Sequence, residues 1–148
     1  MIRLVMPKDV FKIADLAAAA HAAGRYKALN FNRKKVINGL LWLMASSSLV
    51  GYVEDKKDRL VGAVVGYVDS YFFGDDYLLV DRGFFVLPEH RKGKTGSKLL
   101  KAYVAAGKTL GVKEICLSET LSDDPNALDL LAKKAGFSKV GSLYRVTV

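Results

Sequence analysis

Cysteine is almost missing from this sequence. Cys116 stands alone, so no internal disulfide can form and the cytoplasm is the expected compartment. It lies in the apolar stretch Ile115-Cys116-Leu117, where a buried structural thiol is expected rather than a nucleophile. Long hydrophobic runs are missing too. None approaches the roughly 20 residues that span a bilayer, so no membrane association is expected. The opening Met1-Ile2-Arg3-Leu4-Val5-Met6-Pro7 lacks the apolar core and cleavage site of a signal peptide. Linkers, repeats and low-complexity segments are absent, and residues 1–148 read as one domain. Carboxylates are scarce beside cations, 15 against 23, leaving a net charge of +8.

What is present is the content of an ordinary globular protein. Of the 148 residues, 51% are hydrophobic and 26% charged, which excludes a disordered chain and is enough for a core of its own. The positive charge admits a nucleic-acid partner. However, Arg91, Lys92, Lys94, Lys98 and Lys101 gather in one loop and the helix that follows it. The remaining excess is spread along the chain. The short run Arg33-Lys34-Lys35 reads as a solvated helix face.

That loop lies in the stretch around which the chain is organised, residues 78–101. Phe84-Phe85-Val86-Leu87 has the aromatic and β-branched content of a buried strand. Pro88 has no amide proton for a ladder, so pairing should stop there. Beyond the turn, Leu99, Leu100, Tyr103 and Val104 recur at helical spacing. Between strand and helix runs His90-Arg91-Lys92-Gly93-Lys94-Thr95-Gly96-Ser97. A Gly-containing, cationic loop feeding a helix N-terminus, with its free amides and positive dipole end, suits a phosphate or pyrophosphate.

Two motifs use this device. In a P-loop, Gly93-Lys94-Thr95 would be the second half, but Pro88 then occupies the place of the first glycine. No later apolar strand ends in an Asp to hold Mg²⁺. The alternative fits better. Val86, Pro88, Arg91, Gly96, Leu99 and Leu100 resemble the strand 4 and helix 3 signature of the GNAT superfamily of N-acetyltransferases, V-x-P-x-x-R-G-x-G-x-G/A followed by an apolar helix. Asp81, seven residues before Pro88, together with Glu89-His90-Arg91, resembles a phage-associated branch; if the chain is phage-encoded, the compartment is the host's cytoplasm. Lys92 and Lys94 depart from the family, standing where many members have glycine.

The order of elements points the same way. A strand over 2–6 precedes a helix that Asp9 caps and Gly24 ends. Val10, Ile13, Ala14, Ala17 and Ala18 form its apolar face. Asn32 is placed to cap a second helix over 33–45, with a stripe of Val36, Ile37, Leu40, Leu41 and Met44. Strands over 49–54 and 60–69, joined by Asp55-Lys56-Lys57-Asp58, form a hairpin. A strand over 77–87, a helix over 96–108 and a strand over 112–117 make a parallel crossover. Ser122-Asp123-Asp124-Pro125 should open the last helix, with Asp124 as cap and Pro125 as its first residue. Leu128, Leu131 and Ala135 then face inward, and Gly136 closes it. Segments 137–140 and 143–148 should finish the sheet. The expected class is α/β (α+β): a mixed, mostly antiparallel sheet of about seven strands flanked by about four helices.

The resemblance implies transfer of an acetyl group from acetyl-CoA to a primary amine, with no metal. It places the backbone of Phe85, Val86 and Leu87 on the pantetheine arm and acetyl group. It places Arg91, Lys92, Gly93, Lys94, Thr95, Gly96 and Ser97 on the pyrophosphate, and Asn126 near CoA. The segment joining the first two helices commonly shapes the acceptor pocket in the family, which nominates Arg25 and Tyr26. Asp81 is the candidate base, with a surface Asp81–Arg82 pair as the competing reading. The family's tyrosine acid, counted back from Gly136-Phe137, falls on Ala132. Tyr144 is the substitute candidate, unless the thiolate leaves without an acid. His21 and His90 read as helix-face and surface histidines. Two other classes stay open: a nucleic-acid binding or modifying protein on the same fold, and a degenerate acetyl-CoA-binding module. Tyr71, Phe72 and Phe73 suit the surface of a homodimer. The acceptor has no signature in the sequence.

Overall fold

The structure is a computed structural model that describes residues 1–118, 122, 124 and 126–148. A five-stranded sheet keeps sequence order as spatial order. Its strands are β1 (Ile2–Leu4), β2 (Leu49–Lys56), β3 (Arg59–Ser70), β4 (Tyr77–Val86) and β5 (Glu114–Ile115). Neighbours are antiparallel from β1 to β4, and β5 runs parallel to β4. The helices are α1 (Val10–Ala23), α2 (Arg33–Ala45), α3 (Thr95–Leu110) and α4 (Asp129–Lys134).

Both faces of the sheet are covered, which is why β3 reads as an almost unbroken apolar run through Leu60-Val61-Gly62-Ala63-Val64-Val65. On one face Val10, Ile13 and Leu16 of α1 and Leu40 of α2 pack with Val53, Leu60, Ala63 and Val65. On the other, Leu99, Leu100 and Tyr103 of α3 pack with Val50, Val64, Leu79 and Val86. Close approach there needs glycine. A Cβ on Gly62 would lie 3.0 Å from Leu99 and 3.1 Å from Thr95, and one on Gly66 would run into the Tyr103 hydroxyl. Thr95, Leu99 and Tyr103, one turn apart, thus lie over a trough in β3.

Local chemistry explains most boundaries. The Asn32 side chain accepts from the Lys35 amide at 3.0 Å and starts α2 at the expected residue. Its buried stripe differs: Leu43 is inside, while Leu41 is 44% exposed. Lys57 and Asp58 carry φ of 52° and 64°, making a two-residue turn tighter than the expected four. Asp9 does not cap α1. It is buried, accepts from Arg3 at 2.7 and 2.9 Å, and takes the Met6 amide at 2.8 Å. Gly111, at φ 72°, ends α3. At the β3–β4 tip Phe72 and Phe73 are exposed, whereas the Tyr71 hydroxyl donates to Glu114 at 2.5 Å.

The C-terminal third departs most from expectation. The fifth strand shrinks to Glu114–Ile115. The last helix begins only at Asp129, behind Leu128, so Asp124 is not its cap; the Asp124 carboxylate accepts the Asn126 amide in a turn. The proposed starting residues Asp123 and Pro125 lie outside the described residues. No strand forms over 137–148, so among the described residues five strands replace the expected seven. An added strand needs a free edge to pair with, and β5 offers only two residues of ladder. Val140, Tyr144 and Val146 are accordingly exposed.

Candidate active site

The site begins where β4 and β5 part. They pair only at Leu78–Glu114 and Leu79–Ile115, and the Cys116 amide adds one bond to the Leu79 carbonyl at 2.8 Å. Beyond this, Ser118 bridges the gap, donating its amide at 3.0 Å and its hydroxyl at 3.1 Å to the Asp81 carboxylate. On its other side β4 carries a bulge. Val65 faces Gly83 and Gly66 faces Asp81, so Arg82 is the extra residue. The parted strands open a cleft of about 690 Å³. It is walled by β4, the end of α1 at Ala20 and Gly24, α4 through Leu131 and Lys134, and the C-terminal segment through Leu143 and Arg145.

Backbone alternation decides which groups face the cleft. The Leu87 amide donates to the Val61 carbonyl at 2.9 Å. Phe85 shares its phase, and its carbonyl points toward Gly62 of β3. Phe84 and Val86 therefore turn their N–H and C=O groups to the parted edge. Of Phe85, Val86 and Leu87, only Val86 presents its backbone to the cleft. Its carbonyl is already taken by Arg91 Nε at 2.9 Å, which leaves the N–H. The Arg91 guanidinium also lies over the Phe85 ring, 5.2 Å from its centroid.

The loop turns through a single 3₁₀ turn, Pro88–His90, into α3. Three of its amides are occupied: His90 donates to the Leu87 carbonyl at 2.8 Å, Arg91 to Pro88 at 3.2 Å and Gly93 to His90 at 3.3 Å. Lys94 precedes α3 and gives no side-chain cap, so the first-turn amides of Thr95, Gly96 and Ser97 lack an intrahelical acceptor. The Thr95 side chain is buried against Gly62, while Lys92, Gly93 and Lys94 are exposed. Gly96 lines the cleft, and its missing Cβ faces side chains: Leu131 at 3.0 Å, Phe84 at 3.3 Å and Val86 at 3.8 Å. Glycine there lets α4 close on α3, a packing reason that the sequence did not disclose.

Asp81 is the one cleft-lining carboxylate among the described residues. Burial pushes its carboxyl above the ordinary range, opposed by the bonds from Ser118. The Asp81–Arg82 pair is not formed; Arg82 lies over Tyr67, 4.6 Å from its centroid. Behind the bulge the Tyr103 hydroxyl is buried without a partner among the described residues, and burial, with Asp81 second, raises its pKa strongly. Burial also raises the Cys116 thiol, as expected of an inert cysteine.

Other candidates fall away from the cleft. Tyr144 is 88% exposed and does not line it. Asn126 is exposed, and Leu87 packs into the core beside α1 and α2. His21 lies against Phe31 and His90 faces Lys56. Arg25 and Tyr26 reach the site indirectly, since Arg145, which lines the cleft, lies over the Tyr26 ring. Ser118, Arg82 and Arg145 were not foreseen. Ser118 alone had a signal: it ends the apolar run of a parallel strand, the end at which such sheets bind ligands.

The β4–β5 edge thus parts beside the uncapped N-terminus of α3 and its loop cations, with Arg91 and Gly96 lining the opening. The chain belongs to the acetyltransferase (GNAT) family, whose model matches residues 16–137. No curated protein matches it. Among solved structures it is similar to a probable acetyltransferase, at 15% identity and TM-score 0.77, covering 100% of this chain and 96% of that one. It is also similar to the aminoglycoside acetyltransferase meta-AAC0020 from an uncultured soil metagenomic sample, in complex with sisomicin (18%, TM-score 0.72, 100% and 96% covered). A third is the ribosomal-protein-alanine N-acetyltransferase from Brucella melitensis biovar Abortus 2308 (15%, TM-score 0.72, 100% and 99% covered). At such identities these likenesses concern the fold.

Proposed function

We propose that the protein transfers the acetyl group of acetyl-CoA to an amine, with Asp81 as the base. The observation that carries this reading is the placement of a half-buried carboxylate and an uncapped helix N-terminus along one cleft opened by the parting of β4 and β5. The amides of Thr95, Gly96 and Ser97, with Arg91, Lys92 and Lys94, suit the pyrophosphate. The Val86 N–H suits the acyl oxygen. Acetyl-CoA brings a thioester, an acyl group already activated for transfer.

Asp81 receives the proton that the amine gives up as its nitrogen bonds to the acyl carbon. The carbon–sulfur bond breaks, and the thiolate takes a proton from water. Ala132 offers no acid and Tyr144 stands outside the cleft, so departure without a side-chain acid is the reading we adopt. Ser118 holds the Asp81 carboxylate toward the cleft through two hydrogen bonds. Burial makes that carboxylate more basic than an exposed one.

Thiol release measured with acetyl-CoA and pooled amines tests the reading. The expected result is amine-dependent release of free CoA and an acetylated product found by mass spectrometry. Binding of acetyl-CoA without thiol release for any amine would instead mark a binding module.

A further inference from the structure

The cleft is lined by Arg82, Arg91, Lys134 and Arg145 against a single described carboxylate, Asp81. Arg91 is held at the α3 loop by the Val86 carbonyl and the Phe85 ring. Arg82 and Arg145 belong elsewhere in the cleft. Arg82 is the bulge residue beside Asp81, lying over Tyr67. Arg145 lies over Tyr26 at 5.4 Å, and Arg25 over the same ring at 5.3 Å. That ring belongs to the segment just past α1, which itself forms a cleft wall. Arg25, Arg82 and Arg145 form no ion pair among the described residues. Ring contacts hold a guanidinium in place without neutralising it. Its forked N–H donors then remain for an oxyanion, which they match two at a time.

We propose that the acceptor carries its own negative charge: it is a small amine bearing a carboxylate or a phosphate, which Arg82 and Arg145 receive while the amine faces Asp81. This rests on the acetyltransferase reading above. A polycationic acceptor such as an aminoglycoside would bring several like charges against these arginines. Like charges brought together disfavour such an acceptor, an effect that added salt should weaken because both arginines are exposed. The net charge of +8 also favours encounter with anions.

The test uses the full chain, acetyl-CoA and thiol release with matched acceptors. These are free amino acids and their amides, aminoalkyl phosphates and the corresponding amino alcohols, and spermidine and kanamycin as polycations. The carboxylate and phosphate arms identify which anion is preferred. At least one anionic amine is expected to exceed its uncharged partner by about tenfold or more in kcat/KM, the size of one charge-assisted bond. Arg82→Glu and Arg145→Glu should each lower that value by about 10- to 100-fold, chiefly through KM. Both side chains are exposed, so folding should persist, and acetyl-CoA affinity provides the check. The double variant should also turn over spermidine relatively faster. Release from neutral or polycationic amines but none of the anionic ones overturns the proposal while leaving the acetyltransferase reading intact. So does an anionic-amine kcat/KM unchanged in the double variant. Absence of acetyl-CoA binding overturns both.

Discussion

Replacing Asp81 by Asn separates chemistry from structure. The carboxylate accepts the Ser118 amide at 3.0 Å and its hydroxyl at 3.1 Å. An asparagine oxygen keeps the first bond, and its amide can donate back to the hydroxyl oxygen, so the cleft retains its shape. What disappears is basicity. Removing a general base costs about 10²- to 10⁴-fold in rate, or about 2.7 to 5.4 kcal/mol of barrier. Stability should move the other way. Burial raises the Asp81 pKa above its ordinary 3.8, so the folded state holds this proton to higher pH than the unfolded one. Its stabilising contribution is complete below 3.8 and is lost as pH rises through the folded value. At neutral pH the ionised form is a liability that asparagine lacks. Thiol release should therefore fall by at least 10²-fold while the melting temperature at pH 7 holds or rises. The wild-type kcat/KM should climb with pH through a pKa above the ordinary carboxylate range, a limb absent from the variant. Wild-type turnover in Asp81→Asn would refute the assignment, and a lowered melting temperature would show that Asp81 is structural.

Three other substitutions probe the surroundings. Gly96→Val drives branched carbons toward Leu131 and Phe84, already 3.0 and 3.3 Å from a Cβ; overpacking should cost about 1–3 kcal/mol in a denaturant melt and weaken acetyl-CoA binding in calorimetry. Tyr103→Phe removes a buried hydroxyl that has no partner among the described residues and should stabilise the protein by about 1 kcal/mol; a loss of that size would reveal a hydrogen bond. Asp9→Asn breaks the part-buried pair with Arg3, which keeps Asp55 at 2.8 Å, and should cost about 1–3 kcal/mol. The Arg3 guanidinium holds the Asp9 carboxyl below its ordinary 3.8. That contribution is present above 3.8 and lost as pH falls through the folded value, so acid melts of the wild type should lose stability there and those of the variant less.

The first two thirds of the fold were legible because their signals are local. Asn32 as a cap, the apolar runs of β2 to β4, and the strand–Pro–Arg–Gly–helix unit each depend on neighbours within a few residues. The failures needed distant partners. Asp9 reads as a cap until Arg3 is brought to it from β1. Segment 137–148 alternates like a strand, yet alternation supplies no edge to pair with. At the site, Asp81 and Arg91 were readable from motif spacing. Ser118 and Arg145 meet β4 and Tyr26 only through the tertiary fold, and which backbone groups face the cleft is a matter of register.

The central claim is that the cleft between β4, α3 and α4 takes acetyl-CoA. A thermal melt with and without acetyl-CoA tests it most directly. At a hundred times Kd, binding to the folded state alone adds about 2.7 kcal/mol, which for a domain of this size is a rise of about 5 to 10 °C. The account predicts such a rise with wild type and a smaller one with Gly96→Val. No rise at millimolar acetyl-CoA would contradict it.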